Sequence, residues 1–292
     1  MPSTNREAVP RREFYVFYIL DTSKSMEGQR IAQLNRAMEE TLDALKGVAN
    51  GNNETNINIA VLEFNSNARW ITRNGPERLD DFLWEKLTAG GTTDIGLALR
   101  ELDAKLSRNK FLKNMNGAYL PVFIFMTDGY PSDEYQHDLD KIQMNSWFKK
   151  GKKIGIAVGD GASREMLANI CGTDEAVIAT TDLEEFRKLM VMVSVTSSML
   201  QGRSRTRSDD QSGAEIARMA ADSVRKDDET EDNTDDIDSY EEGADGNDYE
   251  DRGGISEQSL DASPIPADSP DGSVPNSSLM DWDPEKDADE FE

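Results

Sequence analysis

Apolar and polar positions alternate in blocks along the first 200 residues. Six short runs are rich in β-branched or aromatic residues: FYVFYIL (14–20), INIAVLEF (57–64), ARWIT (68–72), YLPVFIFMT (119–127), KIGIAVG (153–159) and EAVIAT (175–180). Between most of them the apolar positions recur at helical spacing. Residues 30–48 place Ile31, Leu34, Met38, Leu42 and Leu45 on one face, and residues 94–106 do the same with Ile95, Leu97, Leu99, Leu102 and Leu106. The same reading predicts helices over 133–151 and 182–200. Strands that are apolar at successive positions are covered on both faces, and strand–helix alternation is the signature of a doubly wound α/β domain. Only Asn65, Ser66 and Asn67 separate the second run from the third. That link is too short for a crossover helix, so these two strands pair antiparallel. The expected fold is a mostly parallel six-stranded sheet with one antiparallel edge strand, and no internal repeat is visible.

The pattern ends near residue 200, and the charge balance changes at the same place. Residues 1–200 hold 24 Lys and Arg against 28 Asp and Glu, a net of −4, whereas residues 201–292 hold 8 against 29, a net of −21. A segment so acidic and so poor in large apolar residues cannot bury enough surface to offset its ordering entropy. The expected organisation is a flexible start (1–11), one domain (12–200) and a disordered acidic tail (201–292). Within the tail, 211–228 is helix-prone with Ile216, Met219 and Val224 on a ragged stripe, read as a transient or partner-binding helix. Residues 227–242 lack the glycine of a calcium-binding loop, so they are read as a diffuse cation sponge. The end, 278–292, sets Leu279, Met280, Trp282 and Phe291 among carboxylates, which fits a docking segment and a plain solubilising tail equally well.

One cysteine, Cys171, excludes an intrachain disulfide and suits a reducing compartment. The first residues lack the apolar core of a secretion signal, and no apolar run approaches the length of a membrane span. The expected location is cytoplasmic, with no membrane. The negative charge argues against nucleic acid as a partner, because that affinity comes largely from Lys and Arg on phosphates.

Open α/β sheets bind ligands beyond the carboxyl ends of their strands. Three polar clusters fall at such places: DTSKS (21–25) after the first run, GGTTDIG (90–96) before a helix, and TDGYPSD (127–133) after the fourth run. Asp21, Ser23 and Ser25 alternate, so an extended loop turns all three toward one point. With Thr93 and Asp128 they offer oxygen ligands only and few formal charges, the donor set of a hard cation such as Mg2+ (Mn2+ being the alternative), which retains waters and open positions. Such an ion attracts a carboxylate from outside: adhesion through a metal rather than turnover.

In these three elements the sequence resembles the von Willebrand factor A domain family, over about 14–200. The resemblance implies that Asp21, Ser23 and Ser25 are the first-loop ligands of a metal-ion-dependent adhesion site. It also implies that Thr93, three residues before Gly96, is the threonine ligand, with Thr92 as its rival, and that Asp128 is the third-loop aspartate. The family usually has glycine where this chain has Lys24. LDTSKSMEG, GGTTDIGLAL and FIFMTDGYPSDE look closest to small bacterial members of the tellurium-resistance and stress-response type. That likeness implies a protein partner offering Asp or Glu, with a kinase, a phosphatase or a tellurium-resistance protein encoded nearby.

Other readings of these residues are weaker. Taken alone, Asp-x-Ser-x-Ser reads as a helix cap, and TDG as a turn. A metal-dependent phosphohydrolase is the alternative function, but an aspartate nucleophile of that kind wants a second carboxylate two residues on, where Ser23 stands. His137, the only histidine, falls in a polar helix. VGDGAS (158–163) lacks the lysine of a phosphate-binding loop; it reads as a strand-to-helix turn with Ser163 near a helix start. Cys171 reads as a core thiol.

Overall fold

A computed structural model describes residues 11–51, 55–113, 118–203 and 213–232; side chains are described through 200 and from 213 to 226. The strands are β1 (Arg12–Asp21), β2 (Thr55–Phe64), β3 (Ala68–Trp70), β4 (Glu77–Arg78), β5 (Val122–Thr127), β6 (Lys152–Val158) and β7 (Val177–Thr180). The helices are α1 (Gln29–Gly51), α2 (Ile95–Lys105), α3 (Gln136–Gln143), α4 (Ser146–Lys150), α5 (Arg164–Cys171), α6 (Leu183–Arg203) and α7 (Gly213–Asp232).

The strands form one sheet in the order β3-β2-β1-β5-β6-β7, with β4 also paired to β2. Strands β2, β1, β5, β6 and β7 are parallel, whereas β3 and the two-residue β4 run antiparallel to β2. The expected six-strand path with its antiparallel edge is therefore present, and β4 lengthens that edge. The pleat of β1 shows why both sheet faces are covered. Phe14, Val16, Tyr18 and Leu20 join the core under α1, α6 and α7, while Tyr15, Phe17 and Ile19 join the core under α2 to α5. Tyr18 carries a hydroxyl into the first core, where it donates to Ser194 Oγ at 2.9 Å. Burial raises its pKa, as the charged phenolate would be desolvated.

The helix predicted over 133–151 is two helices. Asn145 divides them: its side chain accepts from Trp147 N–H to cap α4 while its amide donates to Asp103 and to the Leu106 carbonyl. Asparagine competes with the helical backbone in this way and favours a cap over a helix interior.

The expected domain ends at 200, and the packed core does not stop there. Ile216, Ala217, Ala220 and Val224 of α7 are buried in the same core as Phe14 and Tyr18. Helix α7 lies against α6, β6 and β7. The predicted stripe through Met219 is wrong by one position: Met219 is partly exposed and the alanines beside it are buried. Alanine adds little to a hydropathy pattern, yet it lets a helix approach closely. The partner of this helix is the chain's own sheet. The expectations for residues 1–10 and 233–292, including the docking segment, lie outside the described residues.

Among the described residues no helix is long and apolar enough to cross a membrane.

Candidate metal centre

Strands β1 and β5 are parallel neighbours, but the order of the strands reverses between them: β2 follows β1 toward one edge of the sheet and β6 follows β5 toward the other. Loops leaving such adjacent strands diverge and open a crevice. The loops after β1 and β5 carry two of the three polar clusters, and the loop before α2 carries the third.

Asp21 is the last residue of β1 and is fully buried. Its Oδ1 accepts from Ser23 N–H at 2.7 Å and its Oδ2 from the Thr127 hydroxyl at 2.6 Å. Burial raises the pKa of this carboxyl above the usual aspartate value; the bonds from Thr127 and Ser23 offset part of the rise, and the charge of Asp128 adds to it. After Asp21 the chain makes a single 3-10 turn, Lys24–Met26, before α1. The helix-cap reading does not describe this loop, because the Ser23 side chain makes no cap bond. Instead the hydroxyls face Asp128. Ser25 donates to Asp128 Oδ1 at 2.6 Å, which uses its only proton, so the 2.9 Å contact between the two serine oxygens runs from Ser23 to Ser25. The second oxygen of Asp128 accepts from Arg30 Nη1 at 2.7 Å.

Thr93 arrives from the loop before α2. Its backbone N–H donates to Ser132 Oγ at 3.1 Å and its carbonyl accepts from Ser132 N–H at 2.8 Å. A Cβ placed on Gly129 would lie 3.3 Å from Thr93 Oγ1 and 3.5 Å from Ser25 Oγ, so both hydroxyls border the same point beside Asp128. Among the described residues nothing hydrogen-bonds the Thr93 hydroxyl. Thr92, its rival, is exposed and turned away, in contact with Ser66 Oγ at 3.0 Å. Asp133 fixes the start of α2 by accepting from Gly96 N–H at 2.8 Å. A side chain at Gly96 would come within 2.6 Å of that carboxylate, so this contact requires glycine. The Lys24 backbone N–H donates to the Gly91 carbonyl at 3.0 Å and its side chain is exposed, so the departure at position 24 adds a rim cation and leaves the loop tied.

All five predicted site residues are thus gathered at one edge of the sheet. Three participants were not predicted. Thr127 and Ser132 hold Asp21 and Thr93, and Arg30 holds Asp128. The sequence carried one signal for Arg30. It is the second residue of α1, where the helix dipole disfavours a cation unless a carboxylate answers it. His137 is exposed on α3, and Cys171 is buried at the end of α5.

The model of the von Willebrand factor type A domain matches residues 16–191. The chain belongs to the von Willebrand factor type A family.

Solved structures of similar fold include a von Willebrand factor type A protein from Catenulispora acidiphila, 19% identical with a TM-score of 0.47, covering 64% of this chain and 43% of that one. A second is proximal thread matrix protein 1 from the mussel byssus with a zinc-occupied MIDAS motif, 18% identical with a TM-score of 0.47, covering 64% and 48%. A third is the minor pilin PilB from Streptococcus sanguinis, 13% identical with a TM-score of 0.49, covering 68% and 65%. The chain therefore spans less than half of the first two structures. None of the curated proteins matches it.

Proposed function

We propose that the crevice binds one divalent cation, with Mg2+ the best fit and Mn2+ next, and that the ion captures an Asp or Glu carboxylate of a protein partner. The observation that carries this reading is Asp21, a fully buried carboxylate whose partners among the described residues are a hydroxyl and a backbone N–H, with no cation on either oxygen. A buried anion without a counter-charge is costly, and a metal ion is the usual answer. The donors around it fit: two carboxylates and three hydroxyls, all oxygen, which suits hard cations better than zinc. Asp21, Ser23, Ser25, Thr93 and Asp128 would hold the ion. The ion would supply a Lewis-acidic position for an outside carboxylate, while Thr127, Ser132 and Asp133 keep the loops in place.

The rival phosphohydrolase reading needs a carboxylate at position 23, and the serine there bonds to Ser25. The family match does not extend to the tellurium-resistance subgroup, so the proposal stops at the chemistry of the partner.

Isothermal titration of the full chain with a short Asp-containing peptide tests the proposal. Binding is expected in Mg2+, and is expected to vanish in EDTA and in Asp21→Asn. Equal binding in EDTA would overturn it.

A further inference from the structure

Arg30 touches the crevice in a way the five expected ligands do not account for. Its Nη1 donates to Asp128 Oδ2 at 2.7 Å and to the Ser25 carbonyl at 3.2 Å. The Asp128 side chain is 0% exposed and the Arg30 side chain 38%, so a partly exposed arginine reaches in to a fully covered carboxylate. Gly159 at the end of β6 makes room for it. That residue has φ +80°, and a Cβ there would stand 3.0 Å from Arg30 Nη2. The remaining donors of Arg30, on Nε and Nη2, bond to no described residue.

We propose that Arg30 is a resident cation that competes with the divalent metal for Asp128; the inference rests on the metal-site reading of the crevice. Asp128 has two oxygens, and both are taken, one by Ser25 and one by Arg30. Among the described residues no cation bonds Asp21, so the guanidinium neutralises one of the two carboxylates and leaves the other for the ion. A metal that takes Asp128 either displaces Nη1 or accepts a like charge within a few ångströms, and both weaken its binding. Yielding costs Arg30 little, because among the described residues only its Nη1 is engaged and the side chain is partly exposed. The arrangement halves the uncompensated negative charge of the crevice when no ion is bound, and it holds the metal affinity below what the ligand set alone would give.

The test is Mn2+ titration of the full-length chain, read as free Mn2+ by electron paramagnetic resonance, on wild type, Arg30→Gln, Arg30→Lys and Asp21→Asn. The last variant reports the diffuse binding by the many other carboxylates and is subtracted. Arg30→Gln is expected to bind Mn2+ about three- to tenfold more tightly than wild type, since one like charge is removed at short range. Arg30→Lys, which keeps the charge, is expected to stay near wild type. Melting temperatures separate this from a purely structural role: Arg30→Gln should lose stability without metal and gain more than wild type when Mn2+ is added. Unchanged or weaker Mn2+ binding in Arg30→Gln, with wild type still binding above the Asp21→Asn background, overturns the role of Arg30 and leaves the metal site standing. If wild type binds no better than Asp21→Asn, the metal site itself falls, and this proposal with it.

Discussion

Asp21 and Thr127 stand side by side at the carboxyl ends of β1 and β5, and the Thr127 hydroxyl donates to Asp21 Oδ2 at 2.6 Å. The parallel register that sets Leu20 opposite Met126 brings the two together. Thr127→Val keeps the shape and removes the donor. A buried carboxylate oxygen left without its donor costs roughly 1–3 kcal/mol, so urea unfolding in EDTA should show a loss of that order, with the Ser23 N–H bond to the other oxygen retained. The metal affinity should fall too, because Asp21 loses the bond that orients it. Unfolding curves that superimpose on wild type would mean that the bond contributes nothing.

The two adjacent threonines differ in burial and in partners, and they should differ in effect. Thr93→Val is expected to weaken Mg2+-dependent peptide binding by about tenfold or more, of the order of one lost charge-assisted contact. Thr92→Val, which breaks only an exposed contact to Ser66, is expected to change it by less than about twofold. Titration calorimetry on the two variants checks this, and the reverse order would hand the ligand role to Thr92.

Helix α7 should behave as core. Ile216→Ala removes a fully buried side chain and is expected to cost roughly 2–5 kcal/mol. Chains truncated after 203 and after 232 should differ in the same sense: the shorter one loses the cover of α6, β6 and β7 and melts lower, while the longer one matches the full chain. Circular dichroism melts of the two fragments decide the matter; equal melting temperatures would put α7 outside the fold.

Cys171 provides a check by pH. Burial pushes its thiol up to about 12, with the nearby charge of Lys153 pulling part of the way back. A raised pKa means that the thiolate stays scarce as pH climbs from 7 to 9, whereas an unfolded cysteine, with a pKa of about 8.5, ionises through that range. Alkylation by iodoacetamide should therefore be slow and nearly flat with pH in the native protein, and fast and steeply rising in urea. A native rate that rises like the unfolded one would show the thiol to be accessible.

Local pattern determined the strands and most of the helices, because burial on one face or two leaves a periodic trace that short segments carry by themselves. It also placed Asp21, Ser23, Ser25 and Asp128 at or just past the ends of strands, and Thr93 just before a helix. Tertiary structure decided what depends on contacts between distant segments. Asn145 divided a predicted helix because it could reach Asp103 and Leu106. Helix α7 joined the core because two alanines, nearly silent in hydropathy, fit where a bulkier face would not. Which threonine hydroxyl borders Gly129 beside Asp128, that of Thr93, and which turns to Ser66, that of Thr92, is a matter of one residue's rotation that sequence alone leaves open. Arg30 was hidden for the same reason: its carboxylate lies 98 residues away in the chain, and only the folded sheet brings the two to 2.7 Å.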